Sequence, residues 1–133
     1  MKLLLNAHYE ALLRNGRLRL ERAEAGEPEP DFLPVVKLFT PDGACTWLLT
    51  ELDPEEPDIA FGFCDLGMGC PELGSVRLSE LSTARGPLGL PIERDRHFRP
   101  SHTLMTYARA AWSAARINEN PQALDAAAKE GAA

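Results

Sequence analysis

The sequence has no hydrophobic run of membrane-spanning length and few cysteines. No stretch approaches the eighteen or more apolar residues of a membrane helix, and polar residues interrupt the apolar start before it reaches the length of a signal peptide. Its cysteines, Cys45, Cys64 and Cys70, are odd in number, which argues against the disulfide framework of a secreted protein. We therefore expect a soluble, cytoplasmic protein without a membrane partner.

Basic residues are too few for general binding to nucleic acid. Fourteen Lys and Arg stand against twenty Asp and Glu, which gives a formal net charge of −6 at pH 7. A protein of this charge repels a phosphate backbone, so nucleic acid is disfavoured as a partner. The 44% hydrophobic and 26% charged fractions are typical of a globular protein, and 133 residues suffice to bury one core.

Helical patterns occur at both ends of the chain. Apolar residues recur at helical spacing over residues 5–12, and the Asn15-Gly16 pair that follows is typical of a helix end. We predict a short N-terminal helix there, followed by a brief extended segment around residues 18–20 and a Pro-rich loop. A long helix is predicted from Ser101, as its N-cap, to Ile117.

The middle of the chain predicts an antiparallel β-meander of about four strands over residues 35–78. Apolar residues alternate with others along these segments, and a Pro-Asp-Gly turn and a second, Pro-rich turn separate them. The predicted fold class is therefore α+β, with the meander packed by the N-terminal helix and the long C-terminal helix. We assign residues 1–117 to this single domain and residues 118–133 to an Ala-rich, flexible tail.

Acidic residues are concentrated in the meander. Between Lys37 and Arg77 there are eight carboxylates and no basic residue. Seven of them form a candidate binding surface for a basic partner: Glu51, Asp53, Glu55, Glu56, Asp58, Asp65 and Glu72. Such a surface can imitate the charge of a phosphate backbone. The alternative is a set of solvated turn residues, since Asp and Glu are common in Pro-rich turns.

Two of these acids have apolar neighbours at strand ends, and they support two further interpretations. One or both of Glu51 and Asp65 are expected to be partly buried and paired with an arginine such as Arg77 or Arg94. In the enzyme alternative they join Glu72, with Arg94 or His97, in a cleft between sheet and helix, as a carboxylate site for acid–base chemistry or a divalent metal. No acid spacing matches a known metal loop, so we regard a noncatalytic protein as the better prediction.

The segment RDRHFRP carries a candidate basic patch. Its members are Arg94, Arg96, His97 and Arg99. Basic residues beside an aromatic ring are typical of strands that bind nucleic acid, which gives a third functional alternative. Arginines on an extended sheet edge also protect the edge from aggregation, which is the simpler interpretation.

Neither a metal nor a cofactor is predicted. Cys64 and Cys70 could join His97 and His102 in a zinc set, but five residues separate the cysteines, whereas zinc knuckles usually have two to four. The glycines near Cys70 lack the lysine and helix of a phosphate-binding loop, and no nucleophile elbow occurs.

A resemblance rests on TWLLTELDPEEPDIAFGFCDLGMGCPELGSVRLSEL and the later RGPLGLPIERDRHF. These residues are similar to a family of small bacterial proteins catalogued as domain of unknown function 2958, over about residues 3 to 110. Cys70 departs from the family pattern, which has a larger apolar or aromatic residue there. The resemblance implies a setting on plasmids and mobile islands, among genes for antirestriction and DNA handling, and assigns no catalytic residue.

These observations together predict a noncatalytic accessory protein of a bacterial mobile element. It is expected to bind a protein partner through the acidic surface, and host-defence or DNA-processing components are the candidate partners. The role would then be counter-defence, as in antirestriction or anti-CRISPR proteins.

Overall fold

The computed structural model describes residues 3–132, which form four helices and five strands. In chain order these are α1 (Asn6–Glu24), β1 (Val36–Phe39), β2 (Thr46–Leu52), β3 (Ile59–Asp65), β4 (Glu72–Arg77), α2 (Leu78–Thr83), β5 (Glu93–Arg94), α3 (Leu104–Ala114) and α4 (Pro121–Ala132).

The strands form one antiparallel sheet in the order β4-β3-β2-β1-β5. Short turns join the first four strands, so each pairs with its neighbour in sequence. Leu48 of β2 lies opposite Phe63 of β3, and Phe63 lies opposite Leu73 of β4. The two-residue strand β5 returns to the free edge of β1. The predicted α+β class, with its antiparallel meander and a helix from each end, is confirmed.

Helices cover both faces of the sheet, and side chains that alternate along the strands point to one face or the other. Trp47 and Leu49 of β2 belong to one core cluster, which also contains Leu12 of α1. Leu48, which lies between them, belongs to the second cluster, together with residues of α3 and α4 such as Leu104. The sheet therefore lies between α1 and α2 on one side and α3 and α4 on the other.

Helix α1 is longer than predicted, because Gly16 does not end it. The helix continues to Glu24, so the extended segment expected around residues 18–20 is wrong. Gly16 is buried against β2, where a Cβ atom would lie 1.8 Å from the carbonyl oxygen of Leu52. The glycine thus permits close packing of helix and strand instead of a left-handed turn.

Helix α3 is shorter than predicted at both ends. Its N-cap is Thr103 and not Ser101, and the Asp31 carboxylate accepts a hydrogen bond from the Met105 amide at 3.1 Å. The helix ends at Ala114 because Ala115 adopts a left-handed conformation with φ of 58°.

Helix α4 occupies most of the segment that was predicted to be a tail. It packs on α3 and buries Leu124 and Ala127 in the second core cluster. The flexibility of residues 118–133 in solution stays a prediction. No helix within residues 3–132 has both the length and the apolar character that crossing a bilayer requires.

Candidate functional site

The turn between β2 and β3 is strongly acidic, but its carboxylates differ in what they contact. Asp53 accepts backbone hydrogen bonds from Glu55 at 2.9 Å and Glu56 at 3.4 Å, so it stabilises its own turn. Glu56 pairs with Arg77 at 3.0 Å. Glu55 is exposed. The predicted acidic surface is therefore partly used by contacts within the protein.

Asp58 anchors helix α2. Its carboxylate accepts hydrogen bonds from the hydroxyl of Ser79 at 2.6 Å and from the Ser79 amide at 2.9 Å. These bonds, followed by the nearby charge of Arg77, hold the pKa of Asp58 below its ordinary value. Asp58 thus has a structural role at the start of α2.

Glu51 is buried and forms an ion pair with Arg19 of α1. Nε of Arg19 donates to Oε2 of Glu51 at 2.5 Å, and the Glu51 side chain is only 7% exposed. The guanidinium also donates to the carbonyl of Pro30 at 3.2 Å. Its central carbon lies 5.8 Å from the Phe32 ring centre and 5.7 Å from that of Phe61. The expectation that Arg77 or Arg94 pairs with Glu51 is wrong.

A groove of about 440 Å³ opens beside this ion pair, between α1 and the end of β2. We call it the acidic groove. Apolar side chains form much of its wall: Leu20, Ala23, Pro54, Ile59 and Phe61. Glu29, Glu51 and Asp53 also line it, and among residues 3–132 Arg19 is the one cation in the lining. Glu29 lies 3.6 Å from Arg19 with its side chain 87% exposed, so the groove has an apolar wall and a negative rim.

The three carboxylates of the enzyme alternative do not meet. Asp65 lies opposite Thr46, five residues along β2 from Glu51, which places the two acids roughly 16 Å apart along the sheet. Glu72 lies opposite Cys64 and is exposed. Because successive strand residues face opposite ways, Asp65 and Glu72 lie on different faces of the sheet.

Asp65 is instead a buried connector. It accepts hydrogen bonds from the amides of Gly67 at 2.8 Å and Ile117 at 2.9 Å. It therefore joins the end of β3 to the segment that follows α3, and the arginine partner expected for it is replaced by backbone amides.

The candidate basic patch divides at the far edge of the sheet. Arg94, Arg96 and His97 line a cavity of about 490 Å³, together with Arg85 from the loop after α2. We call this the basic cavity. Arg99 is not part of its lining. The Arg94 guanidinium donates to the carbonyl of Leu3 at 2.8 Å, which fixes its position.

The cysteines and histidines of the nominal zinc set are dispersed. Within residues 3–132, no group of three or more Cys, His, Asp or Glu is placed to hold a metal ion. His102 contacts Asp125 at 3.0 Å and Ser101 at 2.7 Å.

Burial, followed by the charges of nearby groups, raises the pKa of Cys64 to about 11, which makes this thiol a poor nucleophile at neutral pH.

Sequence reasoning missed Arg19 and Arg85. A signal for Arg19 exists, because Leu12, Gly16 and Leu20 continue the helical repeat through the expected stop. No comparable signal marks Arg85, which only the fold brings near Arg94.

The chain belongs to the family described as protein of unknown function (DUF2958), whose family model matches residues 3–118. No curated protein and no solved structure matches the chain.

Proposed function

We propose that this member of the DUF2958 family is a noncatalytic accessory protein that binds a basic segment of a partner protein through the acidic groove. The observation that carries the proposal is the composition of the groove, which has an apolar wall, the Arg19–Glu51 ion pair at its base and the exposed carboxylates of Glu29 and Asp53 at its rim. Of the seven acids predicted from sequence, the proposed binding surface keeps Glu51, Asp53 and those of the neighbouring turn. It also includes Glu29, which was not among the seven.

A lysine or arginine of the partner fits this composition. The apolar stem of such a side chain can pack against Leu20 and Ile59, while its charged end reaches the rim. Exposed ion pairs contribute only about 0.2 to 1 kcal/mol each, so most of the affinity must come from apolar burial in the groove. The carboxylates then select a basic partner and steer its approach.

The partner is proposed to be a host-defence or DNA-processing protein. Such proteins carry basic surfaces for nucleic acid, and a protein of net charge −6 is attracted to them. The setting on plasmids and mobile islands, implied by the family resemblance, suggests a counter-defence role.

The carboxylate-site alternative has less support. Glu51 is neutralised by Arg19, Asp65 accepts two backbone hydrogen bonds, and Glu72 is exposed on the other face from Asp65. The acidic groove is lined by Glu51 but by neither Asp65 nor Glu72.

The proposal is tested with basic peptides and with variants of Glu29 at the rim and of Glu55 in the neighbouring turn. Glu29→Lys and Glu55→Lys alter exposed carboxylates, whereas changing Asp58 would disturb α2. We expect a labelled dodecapeptide of alternating Lys and Leu to bind the wild type, and the double variant to bind it at least about tenfold more weakly. Amide chemical-shift changes should map to the wall of the groove.

The matched control is Glu130→Lys, compared with Glu29→Lys alone, because each of these single changes raises the net charge by two. Glu130 lies on α4, across the sheet. The Glu130→Lys variant should bind the peptide within about twofold of wild type after correction for net charge. Equal weakening by Glu130→Lys, or shift changes outside the groove, would overturn the proposal. Capture from a lysate of a host that carries the element then identifies the partner, with the double variant as the negative control.

A further inference from the structure

The basic cavity at the β5 edge is built from separate segments of the chain. Arg94 lies on β5, Arg96 and His97 lie in the turn that follows, and Arg85 comes from the loop after α2. Phe39 and Ile92 are among the apolar residues that line the same space. A cavity of about 490 Å³ is within the usual range for a small-molecule site, roughly 300 to 1,000 Å³.

The backbone holds these arginines in place. Arg85 forms an antiparallel bridge with Pro91, and the Gly86 amide donates to the Leu90 carbonyl at 2.8 Å. Arg94 is held by its place in the sheet, opposite Leu38, and by the hydrogen bond to Leu3. The fold therefore fixes the backbone positions from which Arg85 and Arg94 extend toward the cavity.

The charge balance of the cavity is positive. Three guanidinium groups line it against the carboxylates of Glu93 and Asp95. Asp95 is already engaged, since it accepts the His97 amide at 2.9 Å and lies 3.7 Å from the Lys37 ammonium. Neither Arg85 nor Arg96 forms an ion pair within the described residues 3–132, so their charges are not cancelled by a contact carboxylate.

We propose that the basic cavity binds a small molecule that carries a phosphate group and is about the size of a mononucleotide. Guanidinium groups bind phosphate oxygens with paired hydrogen bonds, which favours arginine over lysine for this task. The exposed Pro91, beside Ile92 in the lining, offers an apolar surface for the rest of the ligand.

A long polynucleotide fits less well than a small phosphate. Arg94 and Arg96 also line a second cavity, with Asp95 and Phe98, but Arg99, the next basic residue of the segment, lines neither. The net charge of −6 opposes a long polyanion but allows a single phosphate in a local positive field. The basic cavity is separate from the acidic groove, so the test of ligand binding does not depend on the proposed partner binding.

Calorimetric titration of the full chain tests the site with defined probes at about 0.15 M ionic strength. The probes are AMP, ribose 5-phosphate, adenosine and a twelve-residue thymidine oligonucleotide. We expect AMP to bind and adenosine, which lacks the phosphate, to bind at least about tenfold more weakly. Ribose 5-phosphate tests whether the base contributes to binding. If the natural ligand is a sugar phosphate, ribose 5-phosphate should bind as tightly as AMP.

Three arginine variants locate the binding. Arg85→Gln and Arg96→Gln should each weaken AMP binding at least about fivefold, because each removes a charged phosphate donor. Arg99→Gln is the matched control and should bind within about twofold of wild type. Arg94 is left intact because its bond to Leu3 has a structural role. Circular dichroism of each variant confirms that the fold is retained.

Three results would overturn the inference. They are absence of binding by both phosphate probes, equal binding of AMP and adenosine, and equal loss in the Arg99→Gln control. Tighter binding of the oligonucleotide than of AMP, with loss in Arg99→Gln, would replace the small-molecule site by an extended nucleic-acid surface.

Discussion

Arg19 of α1 and Glu51 of β2 form an ion pair at the base of the acidic groove, where the register of the β2–β3 pairing shifts between Leu49 and Glu51. The pair joins the helix to the irregular end of the strand. Removing Arg19 would leave the almost fully buried Glu51 carboxylate without its opposite charge, and removing Glu51 would leave Arg19 with only the exposed Glu29 carboxylate, 3.6 Å away.

We therefore expect Glu51→Ala to lower the free energy of unfolding by about 2 to 3 kcal/mol. The estimate is at the low end for buried pairs because the Arg19 side chain is 28% exposed. The combined change Arg19→Met and Glu51→Leu should recover most of this loss, since an apolar pair needs no charge compensation. Urea denaturation measures all three proteins.

The control for this experiment is Glu55→Ala, which removes an exposed carboxylate from the neighbouring turn. Its effect should stay within about 0.5 kcal/mol. A Glu51→Ala protein as stable as Glu55→Ala would contradict a structural role for the ion pair.

Gly62 and Gly74 face each other across β3 and β4 but differ in their surroundings. A Cβ atom at Gly62 would lie 1.9 Å from the Leu48 carbonyl oxygen, whereas a Cβ atom at Gly74 would have no atom within 4 Å. We expect Gly62→Ala to cost about 3 kcal/mol of stability, because the neighbouring backbone must move. Gly74→Ala should change stability by less than about 0.5 kcal/mol. Equal thermal melting of the two variants would contradict this difference.

The strands and helix α1 show where prediction from the sequence succeeded and where it failed. The strands were predictable because Ile59, Phe61 and Phe63 alternate with smaller residues between clear turn signals, and both signals are local. The close approach of Gly16 to β2 depends on a residue far along the chain, so Asn15-Gly16 had the same appearance as a helix stop.

Only the amino-acid composition of the candidate site could be predicted from the sequence. The sequence shows that acids are concentrated in the meander, but not that Glu51 turns toward Arg19 while Asp65 accepts backbone amides. The Arg19–Glu51 pair joins residues 32 positions apart, and the bond from the Ile117 amide to Asp65 joins residues 52 positions apart. Local patterns therefore could not separate the acids that stabilise the fold from those that remain exposed.

Cys64 and Cys70 should differ strongly in reactivity. Burial raises the pKa of Cys64 to about 11, while Cys70 is exposed. At pH 8 only about one thousandth of Cys64 is therefore thiolate, the reactive form. We expect iodoacetamide to modify Cys64 far more slowly than Cys70, with the Cys64 rate rising about tenfold per pH unit toward pH 11.

The measurement uses two matched proteins with one cysteine each. Cys45→Ser with Cys70→Ser leaves Cys64, and Cys45→Ser with Cys64→Ser leaves Cys70. Mass spectrometry follows the modification while circular dichroism confirms that the protein stays folded at high pH. A Cys64 rate that levels off below pH 9 would contradict the raised pKa.

Asp58 should make the attachment of α2 depend on pH. Hydrogen bonds from Ser79 lower the pKa of Asp58 in the folded protein. A carboxyl with a lowered folded pKa contributes stability above its unfolded pKa, about 3.8, and loses it as the pH falls through the lower, folded value. Asp58→Asn should therefore be less stable than wild type at pH 7, and the difference should shrink below about pH 4.

Urea denaturation at several pH values measures this difference in stability, with Glu55→Gln as the control for loss of an exposed turn carboxylate. A stability difference for Asp58→Asn that stays constant from pH 7 to pH 3 would show that the carboxylate charge has no part in holding α2.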